Sequence, residues 1–350
     1  MHRWRGSESH PPQKLCVRDH LAKSASVHDR LVAGIDIAKG RIEFPSAVNA
    51  ESTVIKLPAS LPVNFLTTLR ESEVLATFPS GMQVTLPSII ATDRLKLVGG
   101  RFGASGTHTS RTMMTTELME VLRVVPVAAN RSEYEKAVVD ENCLGKTTTS
   151  NRRLTYRRMS ELYGLNPSLP LFAVLRRLWD LDVAGRPMIA LQCALARDPM
   201  LRGTSTYILS MPVGSQLLSN EYVASIREHI ESTMNDGVLD QVRRNANASW
   251  CQTGHLEGRV TKRRKAVGAP FGAVAFALWL GSLEGRVGDD LLASFWMRHF
   301  DAPRHAIIEA VLRCKQAGLI FASIGGGVVQ IDPTPVFRPL QLEGTEHGAS

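Results

Sequence analysis

The sequence predicts a mainly α-helical protein in which a helical bundle leads into two smaller units, each closed by a short β-hairpin. Three observations carry this. Apolar residues recur with helical period in one segment after another from Arg111 to Ala317, capping residues and prolines punctuate those segments, and glycine-centred alternating stretches follow the later helices. With 44 % hydrophobic and 21 % charged residues, the 350-residue chain has the composition of a folded protein with a sizeable core.

Residues 1–110 read differently. Stretches such as VIKLPASLPVNFL and MQVTLPSII are broken by prolines and hold no sustained period, so no fold is assigned to them. The segment is expected to be a disordered extension or one that precedes the biological start, with that start near Met113 or Met114. His2, His10, His20 and His28 are irregularly spaced here and read as solvated side chains rather than metal ligands.

Residues 111–215 read as a helical bundle domain. TTELMEVLRVV is an amphipathic helix stopped by Pro126. Ser132, with Glu135 three residues on, makes a capping box for a helix running toward Asn142. Ser150 or Asn151 caps NRRLTYRRMSELYGL, which ends at Gly164. Ser168 with Pro170 opens LPLFAVLRRLWDLD, and Arg186-Pro187 opens PMIALQCALARD, with Pro199 beyond its end.

A second pattern fills residues 216–268. Ser219 caps EYVASIREHIES, Asn235 or Asp236 caps a helix to about Trp250, and Gly254 sits where a C-terminal cap belongs. HLEGRVTKRRKAV, with Gly258 between two short arms, follows as a hairpin, which gives the outline of a winged helix. Residues 269–335 repeat the outline: helices at Pro270–Leu283, Asp289–Phe300 and Pro303–Ala317, a stop at Gly318, and a hairpin about Gly325-Gly326-Gly327. Residues 336–350 are a tail.

The net charge of +8 favours a polyanionic partner. Between Gln241 and Lys265, seven cations (Arg243, Arg244, Arg259, Lys262, Arg263, Arg264 and Lys265) stand against one acid, Glu257. Two lie on the second helix of the winged outline and five on or after its wing, a footprint suited to neutralising phosphates. Asn245, Asn247, Ser249 and Gln252 add groups able to reach base edges. A second cluster, Arg152, Arg153, Arg157 and Arg158, either contacts nucleic acid or forms salt bridges with Glu133, Glu135, Asp140 and Glu141. The glycine hairpin of LIFASI and VVQI, joined by Gly325-Gly326-Gly327, carries no Lys or Arg and suits packing or protein contacts instead.

Catalytic, metal and cofactor chemistry find little support. Gly145-Lys146-Thr147 resembles the end of a phosphate-binding loop, but Asp140 stands where that loop needs glycine, and a capped helix precedes it rather than a strand. Cys251 and His255 lack a second ligand pair. Asp180 and Asp182 read as a helix terminus, and Trp179, Trp250, Trp279 and Trp296 as core residues. Five scattered cysteines, Cys16 among them, without a CxxC pair point to reduced thiols in the cytoplasm. The longest apolar run, about 15 residues from Ala269 to Leu283, is too short for a membrane span.

The run SEYEKAVVDENCLGKTTTSNRRLTYRRMSELYGL, continued in type and order by LWDLDVAGRPMIALQCALARDPMLR, SWCQTGHLEGRV and KRRKAV, resembles the BrxA proteins of BREX bacteriophage-exclusion systems from about Arg111 to Pro335. That resemblance implies a helical DNA-binding protein, NusB-like with a winged-helix part, accompanying a modification and restriction machinery without a catalytic site of its own. The expectation is a non-enzymatic accessory protein of an anti-phage system. It holds double-stranded DNA through the basic helix and wing and meets other subunits of a defence complex, with no membrane, cofactor or small-molecule substrate. The alternatives are an assembly scaffold of that complex and a NusB-like RNA-binding regulator.

Overall fold

The computed structural model describes residues 34–36, 41–45, 52–56, 75–77, 83–230, 234–325 and 328–337. His2, His10, His20, His28, Cys16 and the tail beyond residue 337 lie outside the described residues. The chain divides into two compact units, residues 1–90 and 91–350.

In the first unit β1 (Gly34–Asp36), β2 (Arg41–Pro45) and β3 (Ser52–Lys56) form an antiparallel sheet in that order, with Asp36 opposite Arg41 and Arg41 opposite Lys56. A separate antiparallel pair joins β4 (Leu75–Thr77) to β5 (Gln83–Thr85).

The second unit opens within α1 (Leu86–Leu97) and continues through α2 (Thr115–Val124), α3 (Arg131–Val139), α4 (Thr149–Tyr163), α5 (Pro170–Leu181), α6 (Arg186–Arg197) and α7 (Pro199–Ser210). Next come α8 (Ser219–His229), α9 (Asp236–Gln252), a hairpin of β6 (Leu256–Glu257) and β7 (Arg263–Arg264), then α10 (Phe271–Leu283), α11 (Arg304–Gln316) and the hairpin of β8 (Phe321–Gly325) and β9 (Val328–Asp332). The protein is thus mainly α, with eleven helices among the described residues and two small antiparallel hairpins in this unit. None of the described helices is long and apolar enough to cross a membrane.

Two helices that are apolar nearly all round, α6 and α10, form the centre. Met188 to Arg197 and Gly272 to Gly281 are buried without interruption, as expected of helices covered on every side. α6 packs on α4, α5, α7 and α10, and α10 packs in turn on α5 and α11. All four tryptophans read as core residues are buried, and the Trp250 indole donates to Thr204 Oγ1 at 2.9 Å.

Several local expectations are corrected. The second unit begins at Ala91 rather than Arg111, because residues 92–112 are tied in by polar contacts that leave no periodic trace. Arg101 N donates to Ala196 O at 2.9 Å and Leu171 N to Val98 O at 3.0 Å, while Thr107 and His108 are buried. α3 is capped by Asn130, not Ser132: Asn130 Oδ1 accepts from the amides of Ser132 and Glu133, and the Glu133 carboxylate takes the Asn130 amide. Thr148, a little earlier than expected, caps α4 through the Asn151 amide at 3.2 Å. Ser219 is the first residue of α8 rather than its cap, which is Leu218 and offers no side-chain acceptor.

Pro199, read as a stop, instead opens α7. Asp198 caps this helix through the Met200 and Leu201 amides, and a proline at the first helical position loses no intrahelical bond. The helix expected over Asp289–Phe300 is two 3-10 turns, Gly288–Leu291 and Met297–His299. There the Ser294 hydroxyl packs 3.1 Å from where a Gly281 side chain would begin, and its own backbone bonds to Leu291 O instead of continuing a helix.

Candidate nucleic-acid interface

α9 is fixed at its start by Asn235, whose Oδ1 accepts the Val238 amide at 2.9 Å, and at its end by Gly254 in the left-handed region at φ +81°. Its apolar stripe, Leu239, Val242, Ala246 and Trp250, is buried. The chain then turns back through β6 and β7. Gly258, at φ +100°, makes this turn possible, since any side chain there would collide with Thr261 O. Residues 214–217 pair with the far side of β7: Leu217 N donates to Lys262 O at 2.9 Å, Gly214 N to Arg264 O at 2.7 Å, and Arg264 N to Ser215 O at 2.9 Å.

Between α9, the hairpin and the start of α8 lies a groove of about 350 Å³. Arg243, Arg244, Arg259 and Lys262 line it, together with Asn247 and Ser219, and no acidic side chain does. Two of the cations share one counter-ion just outside: Arg243 Nη2 and Arg244 Nη1 lie 2.7 and 2.6 Å from the Asp240 carboxylate. The Arg243 hydrogen bond is the main cause that holds the Asp240 carboxyl below its ordinary range. Lys262 Nζ donates to Gly258 O within the turn, and Arg259 is exposed.

The remaining cations of the 241–265 run divide. Arg263 is exposed and donates to Gly214 O at 3.2 Å, and Lys265 pairs with Glu257 at 3.4 Å. Arg264 leaves the expected DNA-binding group altogether. It is 2 % exposed, grips Asp301 with two 2.8 Å bonds and donates to Ile208 O at 3.0 Å, so it ties the hairpin to the second half of the unit.

The polar side chains of α9 also separate. Asn245 Nδ2 donates to His108 O at 2.8 Å, and Gln252 Oε1 accepts from the Thr115 hydroxyl at 2.7 Å and its amide at 3.2 Å. Ser249 Oγ sits 2.8 Å from His108 Nε2, receives the Met113 amide at 2.8 Å and donates to Asn245 O at 2.9 Å. The other ring nitrogen of His108 lies 2.8 Å from Asp198 Oδ2. Burial drives the Asp198 carboxyl upward, but His108 and the surrounding amides outweigh it and hold the group below its usual value.

Gly106 makes room for that carboxylate, which a side chain there would strike. The Asp-His-Ser order is that of a hydrolytic relay. Here all three are 0–1 % exposed and every hydroxyl contact is internal, so the arrangement fastens residues 106–115 across α7 and α9. Sequence reasoning missed it: His108 is 90 positions from Asp198 and 141 from Ser249, and no spacing signals their meeting.

The first arginine cluster does not form one open patch. Arg152 donates to Lys146 O and Val139 O, closing the turn before α4. Arg157 and Arg158 pair with Glu161 on their own helix, at 3.8 and 2.7 Å, rather than with the expected acids of the preceding helix. Arg153 is exposed. In the Gly145-Lys146-Thr147 loop, Lys146 Nζ binds Glu117 at 3.1 Å.

His255 is buried beside Trp250, between Thr253 Oγ1 at 2.8 Å and His299 O at 3.0 Å. Burial pushes both His255 and His299 down to about 3. No cluster of three or more metal-ligating side chains occurs among the described residues. Asp182 closes α5 and accepts the amides of Gly185 and Gly272 at 3.0 and 2.8 Å, while Asp180 pairs with Arg176. Compared with protein-family models, with curated proteins and with solved structures, the chain finds no match.

Proposed function

We propose that this chain is a non-catalytic DNA-binding accessory protein that holds duplex DNA by its phosphates in the groove between α9 and the first hairpin. The observation that carries the reading is that groove: four cations line it and no acid does. The order helix, bridged segment, helix, helix, strand, strand over α7, residues 214–217, α8, α9, β6 and β7 resembles that of a winged helix, which favours a duplex over other polyanions. Residues 271–332 repeat it loosely with 3-10 turns in place of the middle helix, and their hairpin has no basic residue. The resemblance of Arg111–Pro335 to BrxA proteins supports a place beside the other subunits of a phage-exclusion system.

The test is a fluorescence titration of a labelled duplex with the full-length protein at two salt concentrations, against the variant in which Arg243, Arg244, Arg259 and Lys262 are all alanine. Every phosphate that the variant no longer neutralises should flatten the salt slope by about 0.9. A weakening of about 100-fold or more at low salt, with unchanged melting, is the expected result. Absence of duplex binding by the parent at low salt sinks the reading; preference for RNA or for an acidic protein partner reassigns the groove to that partner.

A further inference from the structure

Of the four side chains of α9 with groups able to reach base edges, the fold uses three internally. Asn247 is the exception. It lines the groove with 8 % of its surface exposed, and its Oδ1 is buried without a hydrogen-bond donor. Folded proteins leave few such acceptors unpaired, because the desolvated oxygen has lost water and gained nothing. None of the three nearest cations turns to it: Arg243 and Arg244 hold Asp240, and Lys262 holds Gly258 O. A ligand seated in the groove can supply the donor that this oxygen lacks, once the carboxamide turns toward it.

Two requirements meet in this groove. The cations call for an anion, and the carboxamide calls for an N–H group. A nucleotide whose base carries an exocyclic amine supplies both. A carboxamide offers an acceptor and a donor side by side, and its complement in the major groove is the adenine edge, with its N6 amine beside N7. Cytosine matches the oxygen alone, guanine presents only acceptors there, and thymine brings no donor.

We infer that Asn247 is a specificity-determining residue that reads adenine while the surrounding arginines and Lys262 hold the adjoining phosphates. This rests on the nucleic-acid reading above and sharpens it, from binding indifferent to sequence to binding that selects one base.

The experiment is repeated selection from a random duplex library by the full-length protein and by its Asn247→Ala variant, followed by titration of the selected site with its adenine replaced by purine lacking the N6 amine. The parent should enrich adenine at one position and bind about 5- to 150-fold more weakly on the purine substitution. The variant should still bind, with less than about a twofold response and an undiminished melting temperature, since it removes an unpaired acceptor. The purine substitution tests the parent alone, so the outcome does not hang on the variant's folding. Duplex binding without adenine enrichment, or enrichment that survives in the variant, overturns the inference and leaves the groove intact as a phosphate site. A parent that binds no duplex at low salt removes the underlying reading and this inference together.

Discussion

The two polar faces of α9 have opposite fates. Asn245, Ser249 and Gln252 look polar and available in the sequence, yet residues 106–115 bury the first two and bond to all three, Gln252 from the rim. Arg243, Arg244 and Asn247, one helical step away, stay on the groove. The composition of a helix therefore does not tell which face works; a remote segment decides by covering one of them. The difference can be tested face by face, and the covered face should report in stability while the open face reports in binding.

The largest effect is expected on the covered side. Asp198 is 1 % exposed, caps α7 and meets His108, so Asp198→Ala leaves a buried imidazole and three amides without an acceptor. Truncating one partner of a buried polar pair costs about 3–5 kcal/mol, which urea unfolding would read directly. Arg244→Ala, on the exposed face, should leave the urea midpoint where it is. Equal midpoints for the two variants would erase the distinction between the faces.

Arg264 sharpens the comparison, because it lies in the basic run but belongs to the covered side. Arg264→Ala leaves Asp301 with only the Val267 amide and Ile208 O without its side-chain donor, at a cost of about 3 kcal/mol. Arg264→Lys should recover little of it, since an ammonium cannot reproduce the paired bonds to the carboxylate. Lys262→Ala, two residues away, should unfold like the parent and bind duplex more weakly. A stable Arg264→Ala protein that is impaired only in duplex affinity would return Arg264 to the DNA-binding group.

Much of the helical frame was legible because apolar period, proline and glycine act locally: α4 to Gly164, α5 from Pro170, α6 from Arg186 and α9 to Gly254 lie close to where these signals place them. Signals with two meanings misled. Pro199 both ends one helix and begins the next, and Ser132 and Asn130 compete to cap the same turn. The basic groove was legible as a charge run, but which of its cations face outward was not, because inward Arg264 and outward Arg263 are neighbours in a strand and differ only by the alternation of its faces. His108 was illegible for a different reason. Its partners come from α7's cap and from α9, and a pairing across such distances leaves no mark in either segment.

The buried histidines set a pH signature on the covered side. His255 and His299 are held down to about 3, whereas in the unfolded chain they titrate near 6.5. Between these values the unfolded chain binds more protons, so the stability they contribute is fully present above pH 6.5 and is lost as pH falls toward 3, by at most about 1.4 kcal/mol per pH unit for each. Asp198, also held below its usual value, adds a loss of the same sign once its carboxylate protonates. His299 Nε2 has no partner, so His299→Phe should keep the packing and roughly halve the acid slope of denaturation midpoints. An unchanged slope would mean that other groups set it.

The smallest effect belongs to the open face and runs the other way. Asp240 neutralises Arg243 and Arg244 at the lip of the groove, a place where an incoming phosphate would compete for the same guanidinium groups. Asp240→Asn removes that competitor while leaving a side chain of the same shape, so duplex affinity should rise several-fold at low salt, with the salt slope steeper by up to about one unit. The gain should fade at high salt, where exposed charges are screened, and the melting temperature should not move. Tighter binding on removal of an acid, with no change in folding, is hard to obtain unless the two arginines face the bound polyanion. If Asp240→Asn binds no better than the parent, those arginines are surface charges, and the duplex must lie across Arg259, Lys262 and Arg263 alone.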